Sequence, residues 1–174
     1  MGYPTNNVDL FRLVSDMNVA FGNPKGDPKH INGEKLLSQC KNIGKEYQEL
    51  MAAFGIEIEI AYKPRDPNHN ASLADIRDAL CDINVFSLGA HHIMGYDANA
   101  DMELVVEAVM TRFCSTPEVL LETCKKFDAE GVEYYIEGKF PRVCLKSARD
   151  QGNGEYPKGK FLKAVGYRTP VFPD

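Results

Sequence analysis

Five carboxylates at helical spacings are the residues of this sequence that could do chemistry. Glu46 and Glu49 are three residues apart, and Asp75, Asp78 and Asp82 follow at spacings of three and four. Side chains at such spacings share one helix face, so each set predicts a short acidic stripe. Like charges this close are unfavourable without a cation, and Mg²⁺ prefers oxygen ligands together with substrate phosphates. Two interpretations stay open: a magnesium site, or the solvated acidic edges of amphipathic helices, which have the same spacing.

The first acidic stripe belongs to a helix predicted over about 34–54. Its apolar residues, from Leu36 to Phe54, recur at alternating spacings of four and three, which is typical of a helix–helix packing seam. Gly55 is a suitable residue to end it. Glu46 and Glu49 each stand one residue before a seam position, so the acidic stripe runs beside the apolar one.

The second acidic stripe belongs to a helix predicted to run from Ser72 to about Ile93. Ser72 is an N-cap with an acidic residue, Asp75, three positions later, as in a capping box. The apolar residues from Leu73 to Ile83 again alternate at three and four. If the two helices pack antiparallel, their acidic stripes face each other across a groove.

Shorter patterns define the rest of the chain. They predict helices over about 7–21, 98–113 and 117–130, and the two strands of a hairpin over 132–138 and 142–148. IEIEIAY, at 56–62, is either a short strand or an extended connection. The predicted fold is mainly α: a four-helix bundle in residues 1–115, with a small C-terminal α+β appendage in 116–174 that holds a helix, the hairpin and an irregular tail.

Composition and charge exclude several classes of partner. The net charge of −5 argues against a general nucleic-acid binder, which needs a basic surface. No apolar run approaches the length of a membrane span, and the N-terminus lacks the features of a signal peptide. The five cysteines are widely spaced without C-x-x-C, which predicts reduced, mostly buried thiols in a cytosolic protein.

One stretch near the C-terminus, GEYPKGKF, differs by one residue from the phosphate-binding pattern G-x-x-x-x-G-K-[S/T]. Phe161 stands where a hydroxyl should hold Mg²⁺, and the glycine and prolines that follow prevent a helix. We therefore reject a P-loop. Two readings stay open: an ordinary turn, or a loop whose Lys158, Lys160 and Lys163 meet phosphate held elsewhere.

Two further chemistries lack their motifs. A di-iron carboxylate bundle needs Glu-x-x-His on its helices, and the sequence has none. His91 and His92 are expected to end a helix, while His30 and His69 fall in loops, so all four are predicted to be surface or capping residues. No Ser/His/Asp or Cys/His nucleophile motif is recognisable either.

Two motifs taken together, KEYQEL and DIRDALCDINVFSLG, resemble the all-α NTP pyrophosphohydrolases, which include MazG proteins, dimeric dUTPases and phosphoribosyl-ATP pyrophosphohydrolases. The family has E-x-x-E on one helix and E-x-x-D on the next. The matching residues here are Glu46 with Glu49 and Asp75 with Asp78, and Asp82 matches a further metal-facing residue of the phage-encoded branch. The tail, KGKFLKAVGYRTPVF, is similar to the K-x-L-K-x-x-x-Y-x-x-P tails of that branch.

The resemblance implies a reaction, (d)NTP + H₂O → (d)NMP + PPi, with Mg²⁺ or Mn²⁺ as cofactor and a weak preference for purine nucleotides such as dGTP. It makes all five carboxylates metal ligands, and Glu46 or Glu49 the acceptor of the proton from the attacking water. RFCST stands where the family has N-x-S-K, so Arg112 is a candidate phosphate contact together with Lys158, Lys160 and Lys163.

The same resemblance implies a homodimer or homotetramer that acts in the cytoplasm, which is the host cytoplasm if the chain is phage-encoded. No nucleic acid or membrane partner is expected. The alternative is a non-catalytic helical module that senses nucleotides or binds a partner protein. An adaptor of that kind gives no reason for five carboxylates to face one groove.

Overall fold

A computed structural model describes residues 9–63 and 72–173 of the chain. In these residues the fold is mainly helical, with one small antiparallel sheet. The elements in chain order are α1 (Leu10–Ala20), α2 (Gly33–Ala53), α3 (Leu73–Met94), α4 (Ala98–Met110), α5 (Pro117–Ala129), β1 (Tyr134–Lys139), β2 (Arg142–Ser147) and β3 (Phe161–Leu162). The chain divides into two compact units. We call residues 24–86 the inserted unit, and the residues before and after it, up to 23 and from 87, the main unit.

Each of the five α-helices begins at a residue whose side-chain oxygen accepts a hydrogen bond from the first turn. Such a bond satisfies one backbone N–H that has no partner inside the helix. The capping residues are Asp9, Asn32, Ser72, Asp97 and Thr116. Ser72 accepts from the backbone N–H of Asp75 at 3.2 Å, as the sequence predicts. Pro117 stands in the first turn of α5, where its missing N–H costs nothing.

The predicted hairpin is present, and a third short strand extends it. β1 pairs with β2 in a register that places Ile136 opposite Leu145, and β2 pairs with β3 through Leu145 and Leu162. Gly138, with φ of 94°, lies so close to the carbonyl oxygen of Arg142 that a Cβ would collide with it. The tail was predicted to be irregular, and β3 corrects that prediction.

The hydrophobic core of the main unit lies between α5 and the sheet. Fully buried Cys114 and Leu145 stand at its centre with Phe127 and Leu162, and β2 is buried along nearly its whole length. Burial of an aliphatic or aromatic side chain contributes about 1.5–3 kcal/mol. This region therefore carries most of the burial energy of the described chain.

A cluster of three aromatic rings joins α1 and α4 to β3 in the same unit. Phe21 follows α1, Phe113 follows α4, and Phe161 opens β3. Their ring centroids are 4.8–4.9 Å apart, with tilted and edge-to-face arrangements that aromatic pairs favour. Because α1 also packs against α4, this cluster fixes the N-terminal helix to the main unit.

In the inserted unit the helices bury little. Neither α2 nor α3 has a buried residue, and seam residues such as Phe54 and Ile83 are 74% and 42% exposed. Among the described residues, α2 and α3 are not a packed pair of helices. The predicted seams are therefore present as helix faces, but they do not pack against each other within one chain.

The segment after α2 is an extended connection without strand pairing, which was one of the two readings of IEIEIAY. It runs back along α2. The side-chain amide of Gln48 donates to the carbonyl of Ile58 at 3.1 Å, and the hydroxyl of Tyr62 donates to the carbonyl of Lys41 at 3.4 Å. These two bonds hold the segment at both ends.

No helix in residues 9–63 and 72–173 has the length and apolarity needed to cross a membrane. The division of the chain at residue 115 into a catalytic core and an appendage stays a prediction.

Candidate functional site

The first predicted acidic pair lies in the second half of α2. Glu46 and Glu49 are one helical turn apart, and both side chains are exposed. Neither carboxylate lies within 4 Å of a cation among the described residues. Within the described part of the chain, the pair therefore has no ion-pair partner.

The second predicted set follows one face of α3. Asp75, Asp78 and Asp82 are exposed and lie at successive turns of that helix. Asp75 stands in the first turn, where the positive end of the helix dipole favours a negative charge. In the described part of the chain, no ion pair involves these aspartates.

The donor chemistry of these five residues fits Mg²⁺, because all of them are carboxylates and hard cations take oxygen ligands. Their arrangement within one chain does not complete a site. Across residues 9–63 and 72–173, no three His, Cys, Asp or Glu side chains are grouped closely enough to hold a metal. The structure thus places the acidic residues on two separate helix faces and does not bring the two sets together.

A groove beside α2 includes one of the predicted ligands. It encloses about 550 Å³ between the last turns of α2 and the extended segment, and Glu49 and Glu57 both line it. The bond from Gln48 to Ile58 holds the two walls of this groove together. Glu57 was not among the predicted site residues, although the alternation of Ile56, Glu57 and Ile58 gives it a side opposite to its apolar neighbours.

Two of the four predicted phosphate contacts come together in the main unit. The guanidinium carbon of Arg112 is 5.4 Å from the ring centroid of Tyr167, and the Nζ of Lys163 is 4.4 Å from the same centroid. Both distances fit cation–π contacts. One tyrosine ring thus has two positive charges beside it.

The other two predicted contacts lie in the preceding loop. Lys160 donates from Nζ to the carbonyl of Glu155 at 2.6 Å and lies 5.6 Å from the ring centroid of Tyr156. The side chain of Lys158 is exposed, and its backbone N–H donates to a carboxylate oxygen of Asp150 at 2.8 Å. Phe161, the residue that breaks the P-loop pattern, begins β3 rather than a helix, in agreement with the rejection of a P-loop.

The chain matches no family model, and comparison with curated proteins and with solved structures found no match.

The cysteines are all free, and two of the five, Cys114 and Cys144, are buried. Burial raises the pKa of Cys114, and it raises the pKa of Cys144 to about 11. Both thiols are protonated at neutral pH, whereas a nucleophile or a metal ligand acts as the thiolate. The expected free thiols are present, but burial is confirmed for these two alone.

Two of the three histidines in the described residues contact polar groups nearby. His30 contacts the carboxylate of Asp27 at 2.8 Å, and this hydrogen bond lowers the pKa of Asp27. His91 lies near the end of α3, 3.0 Å from the carbonyl of Ser87 and 3.8 Å from the carboxylate of Asp101. His69 lies outside the described residues.

Tyr167 is the residue that the sequence could not single out. The chain has eight tyrosines and nine phenylalanines, and nothing in the sequence distinguishes this one as a partner of Arg112. The only available signal was its place in the K-x-L-K-x-x-x-Y pattern of the tail. Tyr167 contacts Arg112 because the tail lies beside the end of α4.

Proposed function

We propose that the chain is a metal-dependent nucleoside triphosphate pyrophosphohydrolase that converts (d)NTP and water into (d)NMP and PPi. The observation that carries this proposal is the pair of acidic stripes, Glu46 with Glu49 and Asp75 with Asp78 and Asp82. Each runs along an exposed face of a long helix, without a cation partner among the described residues. Both stripes match the family motifs in order and spacing.

The proposed architecture is a MazG-like four-helix bundle that a second copy of the chain completes, in a homodimer or a homotetramer. Support comes from the apolar seams of α2 and α3, which are half-buried or exposed and do not pack against each other in the described residues of one chain. Large exposed apolar faces mark interaction surfaces, because water contact with them is unfavourable. In such an assembly, carboxylates from helices of both copies would approach one another.

The proposed chemistry assigns each group a role. All five carboxylates would hold Mg²⁺ or Mn²⁺, which when bound offsets phosphate charge and makes a bound water more acidic. Glu46 or Glu49 would accept the proton of the water that attacks the α-phosphorus. Arg112 and Lys163, together with Lys158 and Lys160, would offset the charge of the departing pyrophosphate.

The proposed substrate is a purine nucleotide such as dGTP or GTP, a preference that rests on the resemblance to the phage-encoded branch. The proposed compartment is the cytoplasm, which free thiols favour. In that setting the enzyme would control the nucleotide pool.

A second candidate is a non-catalytic module that senses nucleotides or binds a partner protein. One observation favours it: in the described part of a single chain, no three metal-binding side chains come together. A binding module of this kind would retain the exposed helix faces and release no pyrophosphate.

The deciding experiment is a pyrophosphate-release assay over all NTPs and dNTPs with Mg²⁺ or Mn²⁺, and with EDTA as the metal-free control. We expect turnover with at least one nucleotide and a loss of about 10²-fold or more in Glu49→Gln and in Asp78→Asn. Glu34→Gln is the matched control, because Glu34 is a carboxylate of the same helix α2 outside the acidic pair. Release from no nucleotide, or full activity in both variants, would refute the enzyme proposal.

A further inference from the structure

The segment 163–168 is fixed against the end of α4 by its own backbone. Its N–H groups make hydrogen bonds to residues far away in the sequence. They are the bonds from Ala164 to the carbonyl of Arg112 at 3.2 Å, from Val165 to Oγ1 of Thr123 at 3.1 Å, and from Arg168 to Oγ1 of Thr111 at 2.9 Å. Ala164 is buried, so this anchor is part of the core. The segment therefore presents its side chains at a defined position.

Two cations contact one ring at this anchor, and a third follows it in the chain. Arg112 and Lys163 both contact the ring of Tyr167, and Arg168 is the next residue in the chain. Among the described residues, none of the three cations has a carboxylate within 4 Å. Other cations of the same unit do have one, as Lys146 does with Glu137 at 2.6 Å. Acidic residues outnumber basic ones in this chain, whose net charge is −5. The composition alone therefore does not explain a group of cations with no carboxylate nearby among the described residues.

Arg112 is held there with one of its hydrogen-bond donors unused among the described residues. Its Nε is buried and has no hydrogen-bond partner in the described part of the chain. An unsatisfied buried donor is unfavourable, and so is a second positive charge at the same ring. An anion beside these groups would offset the repulsion between the two positive charges.

The chemistry of the three side chains fits a phosphate chain. A guanidinium presents several N–H donors in a plane and binds phosphate oxygens in pairs, while the Lys163 ammonium acts as a point charge. The exposed position of Lys163 and the half-exposed ring of Tyr167 leave the group open to solvent. Two positive charges beside one ring match a polyphosphate, which carries several negative charges, better than a single phosphate.

We propose that Arg112, Lys163 and Tyr167 form a binding site for the polyphosphate group of a nucleotide or for pyrophosphate. Tyr167 positions the two cations through its ring. The assignment of this anion to the substrate or product of the reaction rests on the proposed function. The site itself rests on the contacts in the main unit.

The test is calorimetric titration of the full-length chain with inorganic pyrophosphate, with ATP and dGTP, and with inorganic phosphate, all in EDTA. We expect pyrophosphate and the nucleotides to bind more tightly than phosphate, with an affinity that falls as salt rises. Lys163→Gln and Arg112→Gln should each weaken pyrophosphate binding about tenfold, the effect of losing one charge-assisted contact. Tyr167→Leu should weaken it and Tyr167→Phe should not, because the ring is retained.

The matched control is Lys125→Gln, which removes one exposed lysine of α5 in the same unit. Circular dichroism of each variant checks folding, and Lys163, being exposed, can change without affecting the core. The inference is overturned if the wild type binds no pyrophosphate, if Lys163→Gln binds as well as the wild type, or if Lys125→Gln weakens binding equally. Pyrophosphate binding by a chain that hydrolyses no nucleotide would support the site and refute the proposed function. Nucleotide hydrolysis by the wild type, together with unaltered pyrophosphate binding in Lys163→Gln, would support the proposed function and refute the site.

Discussion

Gly44 lies directly under the hydroxyl of Tyr62. The glycine is in the middle of α2, and a Cβ at this position would overlap the hydroxyl oxygen of Tyr62, which also lies 3.4 Å from the carbonyl of Lys41. A glycine inside a helix is unfavourable by about 1 kcal/mol relative to alanine. The close approach of Tyr62 accounts for the presence of a glycine at position 44. Tyr62 also holds the far end of the extended segment, which forms one wall of the groove beside Glu49.

Gly44→Ala should therefore stabilise α2 itself and release Tyr62. We expect faster hydrogen exchange at residues 56–62 together with unchanged or higher helicity. Gly89→Ala is the control, since Gly89 is also within a helix but has open space around it. Equal exchange rates at 56–62 in the two variants would contradict the prediction.

The partly exposed seams of α2 and α3, which do not pack against each other in the described residues, predict self-association. Phe54→Glu and Ile83→Glu should each convert a dimer or tetramer into monomers, because a charge buried without a partner costs about 3 kcal/mol or more, a change of over a hundredfold in dissociation constant. Light scattering coupled to size-exclusion chromatography, over a range of concentrations, measures this change.

The control for this experiment is Leu121→Glu, which places the same charge at an exposed leucine of α5. It should leave the oligomer intact. A wild-type chain that is monomeric at every concentration, or equal dissociation in all three variants, would argue against assembly through these helices.

The buried thiols predict a specific dependence on pH. The raised pKa of Cys144, about 11 against an ordinary value of 9.0, means that the folded chain keeps the proton longer than the unfolded chain does. The contribution of the protonated Cys144 thiol to the free energy of unfolding is fully present below pH 9. It is lost between pH 9 and 11, by about 1.4 kcal/mol for each unit of pKa difference. Urea unfolding at pH 8 and pH 10 should show a smaller loss of stability in Cys144→Ala than in the wild type.

The same thiols predict an order of chemical reactivity at pH 8. Exposed Cys81 should react with a disulfide reagent within seconds, whereas Cys114 and Cys144 should react only after unfolding. Mass spectrometry of the labelled peptides assigns each site. Fast labelling of Cys144 in the folded chain, or an alkaline loss of stability that Cys144→Ala leaves unchanged, would contradict the assigned pKa.

Local signals in the sequence were sufficient to predict most of the elements. The cap at Ser72, the glycine at 55 and the alternating spacings predicted α2 and α3 to within one or two residues, because these signals act over a few positions. The hairpin was predicted by its period-two alternation. β3 was missed since a strand of two residues has no period of its own and exists only through its pairing with β2.

The candidate site shows the same limit. Periodicity predicts which residues share a helix face, so the acidic stripes of α2 and α3 could be described in advance. Periodicity does not determine which helix face packs against which other face. In the described residues, the seams of α2 and α3 do not pack against each other. The contact between Arg112 and Tyr167 depends on three long-range backbone hydrogen bonds of the tail, which no local pattern encodes.

The packing of α1 against α4 has a consequence for synthesis on the ribosome. Phe21 needs Phe113 and Phe161 as ring partners, and the whole inserted unit is translated between the first two. At roughly 5–20 residues per second, about 5–20 s pass between the synthesis of α1 and the synthesis of α4. During that interval the apolar side chains of α1, among them Phe11, which stays 73% exposed even after folding, are open to chaperones.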